Sequence, residues 1–112
     1  MSLERELHEF YGTDGYYRIS PVVSTVCTQG VKYFIEKGEA HWAILDIALR
    51  CKTLNQPFVT VVIKSENGKA TFTYDDGNDN VLSTQHYKYT DLEEGKYKFY
   101  VIDDVVLLPS EY

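Results

Sequence analysis

"FVTVVIKSENGKATFTYD", Phe58 to Asp75, decides the fold. Its first seven positions are dominated by β-branched residues, which fit a pleated, half-buried strand better than a helix. Asn67-Gly68 then supplies the residue pair that most readily adopts the two positive φ angles of a tight hairpin turn. "ATFTYD" follows with strict apolar/polar alternation, so the stretch reads as strand, turn, strand. Downstream, "NVLSTQHYKY" alternates again and "DLEEG" turns. "KYKFYVI" alternates with Tyr97, Phe99 and Val101 on one face, and Asp103-Asp104 makes a tight turn into "VVLLP".

Upstream of Pro57 the period is helical. Residues 2–11 carry Leu3, Leu7, Phe10 and Tyr11 on one face, with Ser2 as the N-cap and Gly12 after the end. "GTDG" is a turn, and "YYRIS" is extended up to Pro21. "VVSTVC", residues 22–27, fits strand and helix equally. Thr28 caps "QGVKYFIEK", closed by Gly38, and Glu39 to about Thr53 forms the strongest helix, apolar nearly all round and therefore buried. One polar line, Trp42, Asp46 and Arg50, runs along it. The expected fold is α+β, with two or three N-terminal helices packed on an antiparallel meander sheet of four to five strands. Residues 1–112 read as one domain, helical over about 1–55 and sheet over about 57–109.

Composition sets the limits on function. The 112 residues are 44% hydrophobic and 14% aromatic, enough for a packed core. No apolar run approaches the ~20 residues of a membrane span, and "MSLERELHEF" is too charged for a signal peptide. Two cysteines make no disulfide framework, so a reduced, cytoplasmic protein is expected. The net charge is −6, and residues 57–112 hold five Lys/Arg against ten Asp/Glu. Lacking a basic run, the chain is expected to bind neither nucleic acid nor an anionic membrane.

Few residues point to chemistry. Glycine-rich phosphate loops and the Gly-x-Ser-x-Gly elbow are absent, and no His or Cys stands at metal-ligand spacing. Cys27 and His41 could meet only through the fold as thiol and base. "YDDGNDN", Tyr74 to Asn80, resembles a calcium loop in composition, but in neither register do Gly and Glu fall at positions 6 and 12. It reads as a turn, and no metal or cofactor is expected. Asp46 stands out as a carboxylate in an apolar helix, which needs a partner or an upward pKa shift. Arg50 and Arg18 are the cations within reach. A ligand pocket formed by Tyr16, Tyr17, Arg18, Trp42 and Asp46 is the alternative to a structural ion pair.

Taken in order, "FYGT" (Phe10 to Thr13), "YYR" (Tyr16 to Arg18), "TQGVKY" (Thr28 to Tyr33), "ILD" (Ile44 to Asp46), "DGN" (Asp76 to Asn78) and "LLPSEY" (Leu107 to Tyr112) resemble a small family of uncharacterised bacterial and phage proteins, a domain of unknown function. That family tends to place Trp three residues before the Asp, where this chain has Ala43 beside Trp42. The resemblance implies a cytosolic protein, in some cases carried on mobile elements, and brings no activity, cofactor or catalytic residue. The expected function is that of a non-catalytic binding module with a protein partner, for instance an inhibitor or accessory protein of a mobile element. A small enzyme or small-molecule binder using Arg18, Trp42 and Asp46 is the alternative, and a homo-oligomer joined through a strand edge is a third. From the turn reading of "YDDGNDN", neither millimolar calcium nor a chelator should move the thermal melting temperature; a saturable upward shift with calcium would overturn that reading.

Overall fold

The structure, a computed structural model, describes residues 2–13 and 15–112; Asp14, in the expected "GTDG" turn, lies outside them. Among the described residues it is α+β, with three α-helices and one seven-stranded mixed sheet. The helices are α1 (Leu3–Glu6), continued by a 3-10 turn over Leu7–Glu9, α2 (Gln29–Lys37) and α3 (His41–Leu54). The strands are β1 (Tyr17–Arg18), β2 (Val26–Cys27), β3 (Phe58–Glu66), β4 (Lys69–Asp75), β5 (Val81–Tyr87), β6 (Gly95–Ile102) and β7 (Val105–Leu107).

The order across the sheet is β1-β2-β7-β6-β3-β4-β5. The expectation of a four- to five-stranded antiparallel meander is corrected in three respects. There are two further strands, β1 and β2, inside the segment read as helical, and two residues each are too short to show a period. β2 pairs with β7 in parallel. β6 returns beside β3 rather than beside β5, so the β5–β6 connection passes over two strands. The open reading of residues 22–27 is resolved as a strand at Val26–Cys27. The first helix is also shorter than residues 2–11, because Phe10 is already extended. Ser2 does cap it, its Oγ accepting from the Arg5 N–H at 3.2 Å.

Turn chemistry sets the register. Asn67 and Gly68 both have positive φ, 54° and 73°, and join β3 to β4. Asp103 and Asp104, at 50° and 65°, join β6 to β7 in the same way. With these registers, Val59, Val61, Ile63, Phe72, Tyr74, Tyr97, Phe99 and Val101 point to one side and are buried. The two long helices cover that side: Phe34 of α2 lies 5.2 Å from Tyr97 and 5.0 Å from Phe99, ring to ring. Ala43, Ile44, Ile47 and Ala48 bury the face of α3. The helix is not covered all round, since Trp42 and Leu49 keep 36% and 47% of their surface.

The parallel β2–β7 pair is held by side chains as well as backbone. The Val26 N–H donates to the Asp104 carbonyl at 3.0 Å, and the Thr28 N–H donates to the Val106 carbonyl at 3.1 Å. The Asp104 carboxylate accepts from the Ser24 hydroxyl at 2.5 Å, the Thr25 hydroxyl at 2.6 Å and Lys52 of α3 at 3.2 Å. At the N-terminus of α2, Thr28 makes no side-chain cap; Glu111, from a 3-10 turn over Pro109–Glu111, takes that place. Its carboxylate accepts from the Thr28 hydroxyl at 2.5 Å and the Gly30 N–H at 2.9 Å. Glycine at residue 30 leaves room for this cap: a Cβ there would stand 2.5 Å from the Leu108 side chain and 2.8 Å from the Glu111 carboxylate, and one of them would have to move.

The hydroxyls of Ser24 and Thr25, and after them Lys52, hold the Asp104 carboxyl below its ordinary range. A depressed folded-state pKa contributes stability that is complete above the unfolded value of ~3.9 and disappears as pH falls through the folded one. Asp104→Asn should therefore cost on the order of 1 kcal/mol at pH 7, after allowance for solvent screening of a part-exposed group. Urea melts of the two proteins should converge as pH is lowered from about 5 to below 3; a pH-independent difference would refute the assignment.

Candidate functional site

The five residues expected to share a pocket are placed at two ends of the sheet. Tyr17 and Arg18 form β1, one edge, with Tyr16 and Arg18 exposed and the Lys32 ammonium 4.3 Å above the Tyr17 ring. Trp42 and Asp46 lie on the flank of α3 that meets β4 and β5, the other edge, where Trp42 packs 5.9 Å from Phe72 and 5.4 Å from Tyr87. Trp42 and Tyr87, with Glu39, Tyr89 and Asp91, wall an open groove of about 310 Å³ that contains none of the β1 residues.

Asp46 has a different partner from the one the sequence suggested. Its Oδ2 accepts a short hydrogen bond from the Tyr87 hydroxyl. No Arg18 or Arg50 nitrogen is within 4.0 Å of a carboxylate among the described residues. The expected ion pair is thus replaced by a carboxylate–phenol pair, because α3 turns Asp46 towards β5 rather than along its own axis. Burial and the adjacent carboxylate push the Tyr87 phenol up, so it stays a donor at neutral pH. The Tyr87 ring packs 4.8 Å from Phe72, beside a contact that is part-buried. This arrangement locks α3 to the sheet edge.

The thiols and histidines form no reactive pair. Burial raises Cys27 to about 11 and Cys51 to about 12, which keeps both as protonated thiols at neutral pH. His41 Nε2 is 2.6 Å from the Ile19 carbonyl. In "YDDGNDN" the carboxylates serve the loop itself: Asp75 accepts from the Gly77 N–H and Asp76 from the Asn78 N–H, each at 2.8 Å. Asp76 also accepts from the Asn80 side chain at 2.9 Å. The turn reading fits this geometry, and no group of three metal-ligating side chains occurs among the described residues. No described helix is long and apolar enough to cross a membrane.

One surface was missed by the sequence reading. The face of β3, β4, β5 and β6 turned away from the helices is exposed over much of its area, with Thr60 opposite Tyr100 buried on it, and register places Lys64 beside Lys96 and Thr71, and Thr71 beside His86. Lys98 lies on the same side, two residues after Lys96, and Lys69 is across from Glu66. Lys64, Lys69, Lys96 and Lys98 are all exposed, as is Lys88 directly after β5. These are the five cations of residues 57–112, the half with the greater excess of acid. Below them lie Phe58 and Tyr100 at 5.1 Å, with Tyr112 a further 5.5 Å from Tyr100. Lys98 reaches over Tyr100 at 5.6 Å. The sequence signal for this face is the lysine at every second position of "KYK", but Lys64 and Lys69 join it only through strand pairing.

The Asp46–Tyr87 contact predicts a specific double-mutant cycle. Asp46→Ala and Tyr87→Phe should each cost about 1–3 kcal/mol in chemical denaturation, with much of that shared in the double variant. Arg18→Ala should stay within ~0.5 kcal/mol of wild type. Independent, additive effects of the first two would show that the pair is not formed in solution.

Neither a curated protein nor a solved structure matches the chain. The family described as "Family of unknown function (DUF6876)" matches residues 1–112, and with its whole length covered the chain belongs to that family.

Proposed function

We propose that the protein is a non-catalytic binding module that engages an acidic surface of a partner protein through the open face of its sheet. The observation that carries this reading is the segregation of Lys64, Lys69, Lys96 and Lys98 on one uncovered face of a chain whose net charge is −6. Such a patch acts at short range, since charges beyond a Debye length of ~8 Å are screened at physiological salt. Complementary patches of this kind favour encounter and orientation between proteins. The pattern is mixed rather than uniform. Glu66 lies 3.6 Å from Lys64, and Asp75 closes the other end of β4. A mixed patch suits a protein surface with charges of both signs and opposes a continuous polyphosphate, which needs an unbroken basic track. The aromatic group of Phe58, Tyr100 and Tyr112 beside the lysines offers the apolar part of a contact, and aromatics are enriched in such places. An inhibitor or accessory role for a mobile element is compatible with this surface, and cytoplasmic residence with its two protonated, unpaired thiols.

The test compares capture from a lysate of the native host by the wild type, by Lys64→Glu/Lys98→Glu, and by a control reversal on α2, Lys37→Glu. All three should fold, because the substituted residues are exposed. The wild type and the control should retain the same protein partner, and the sheet-face variant should lose it by at least tenfold at 0.15 M salt, a loss of about 1.4 kcal/mol or more. Retention by the sheet-face variant would overturn the reading, as would nuclease-sensitive capture of nucleic acid in place of a protein.

A further inference from the structure

We infer that the chain forms a two-fold dimer by antiparallel pairing of β5 with β5 of a second copy. This goes beyond the partner surface above and does not depend on it. The sheet has two edges of different character. β1 is two residues long, too short to template a further strand. β5 runs seven residues, Val81–Tyr87, pairs among the described residues only with β4, and contains neither a formally charged residue nor a proline. Edge strands that stay unpaired are usually blunted by charge, proline, bulges or shortness. The bulge here lies at the start of β5 itself, where Leu82 is the extra residue between Val81, opposite Asp75, and Ser83, opposite Tyr74; from Ser83 to Tyr87 the register is regular. Every second residue of such a strand presents its backbone N–H and C=O outward.

The occupant is fixed by the strand's own ends. Asp75, Asp76 and Asp79 cluster at the start of β5, whereas Lys88 follows its end and Lys69 stands beside that end on β4. An antiparallel copy sets the acidic start of one strand against the basic end of the other, twice, which is the self-complementarity that a two-fold interface requires. A parallel copy would place like charges together at both ends. A two-fold axis normal to the sheet passes between a residue and its own copy, and bringing Lys88 alongside Asn80 and Asp79 of the other strand puts it at Thr84, within the regular part of β5. Ser83 then opposes Gln85 on each side of the axis. The two lysine faces end on the same side of one continuous sheet, both uncovered.

Sedimentation equilibrium of the full chain at tens of micromolar should give twice the chain mass. Thr84 is exposed on the sheet surface, so Thr84→Lys and Thr84→Asp should fold, each placing like charges at the axis, and each should sediment as a monomer. Mixed in equal amounts, the two should restore the dimer mass. Thr84→Cys gives a readout that does not depend on the charged variants: mild oxidation should cross-link it into a dimer, while the wild type, with one buried and one half-buried thiol, should not cross-link. A monomeric wild type, a dimer that survives both charge substitutions, a mixture that stays monomeric, or an absence of cross-linking in Thr84→Cys would each overturn the proposal.

Discussion

Phe34 of α2 packs against Tyr97 and Phe99 of β6, and this contact fixes which face of the sheet is dry. Strand alternation does the rest: once Tyr97 and Phe99 point inward, Lys96 and Lys98 must point outward, and register carries the choice across β3, β4 and β5. The helices suffice for one face. The other is left to solvent or to a partner, and its composition follows from the same alternation that builds the core. Core and candidate surface are therefore two readings of one pattern, and a one-residue slip in β6 would exchange them.

This pattern also explains what was legible in the sequence. β3 to β6 were visible because seven or more residues are enough to display a period of two, and the Asn67-Gly68 and Asp103-Asp104 turns announce themselves chemically. α2 and α3 were visible from helical spacing, breakers and length. β1 was legible only as extended chain in "YYRIS" and β2 only as one of two readings of residues 22–27, because two-residue strands have no period, and the parallel pairing of β2 with β7 is a decision of the tertiary fold. Glu111 as the cap of α2 is equally remote from its helix in sequence.

The candidate site was less legible than the fold. Trp42 and Asp46 do share a flank of α3, as their four-residue spacing requires, but sequence could supply only nearby cations as partners for the carboxylate. Tyr87, a neutral donor on the edge strand, is the group that the fold delivers. Tyr16, Tyr17 and Arg18 sit at the far edge because β1 joins the sheet beyond β7. The lysine face was hidden by averaging. Ten acidic residues against five basic ones describe a half-chain, whereas binding depends on how those charges divide between two faces.

The parallel β2–β7 pair has a consequence for how the protein is made. Val26 and Cys27 leave the ribosome early, yet their partners on the β7 side, Val105 and Val106, are synthesised only after every other strand. Until then the hydroxyls of Ser24 and Thr25 have no Asp104 to meet, and α2 has its fold-side residues but not its acidic cap. Contacts this distant along the chain are slow to close, because the intervening loop must be ordered first. The hairpins of β3, β4 and β5 can assemble during elongation, and the seam between the two ends of the chain closes last.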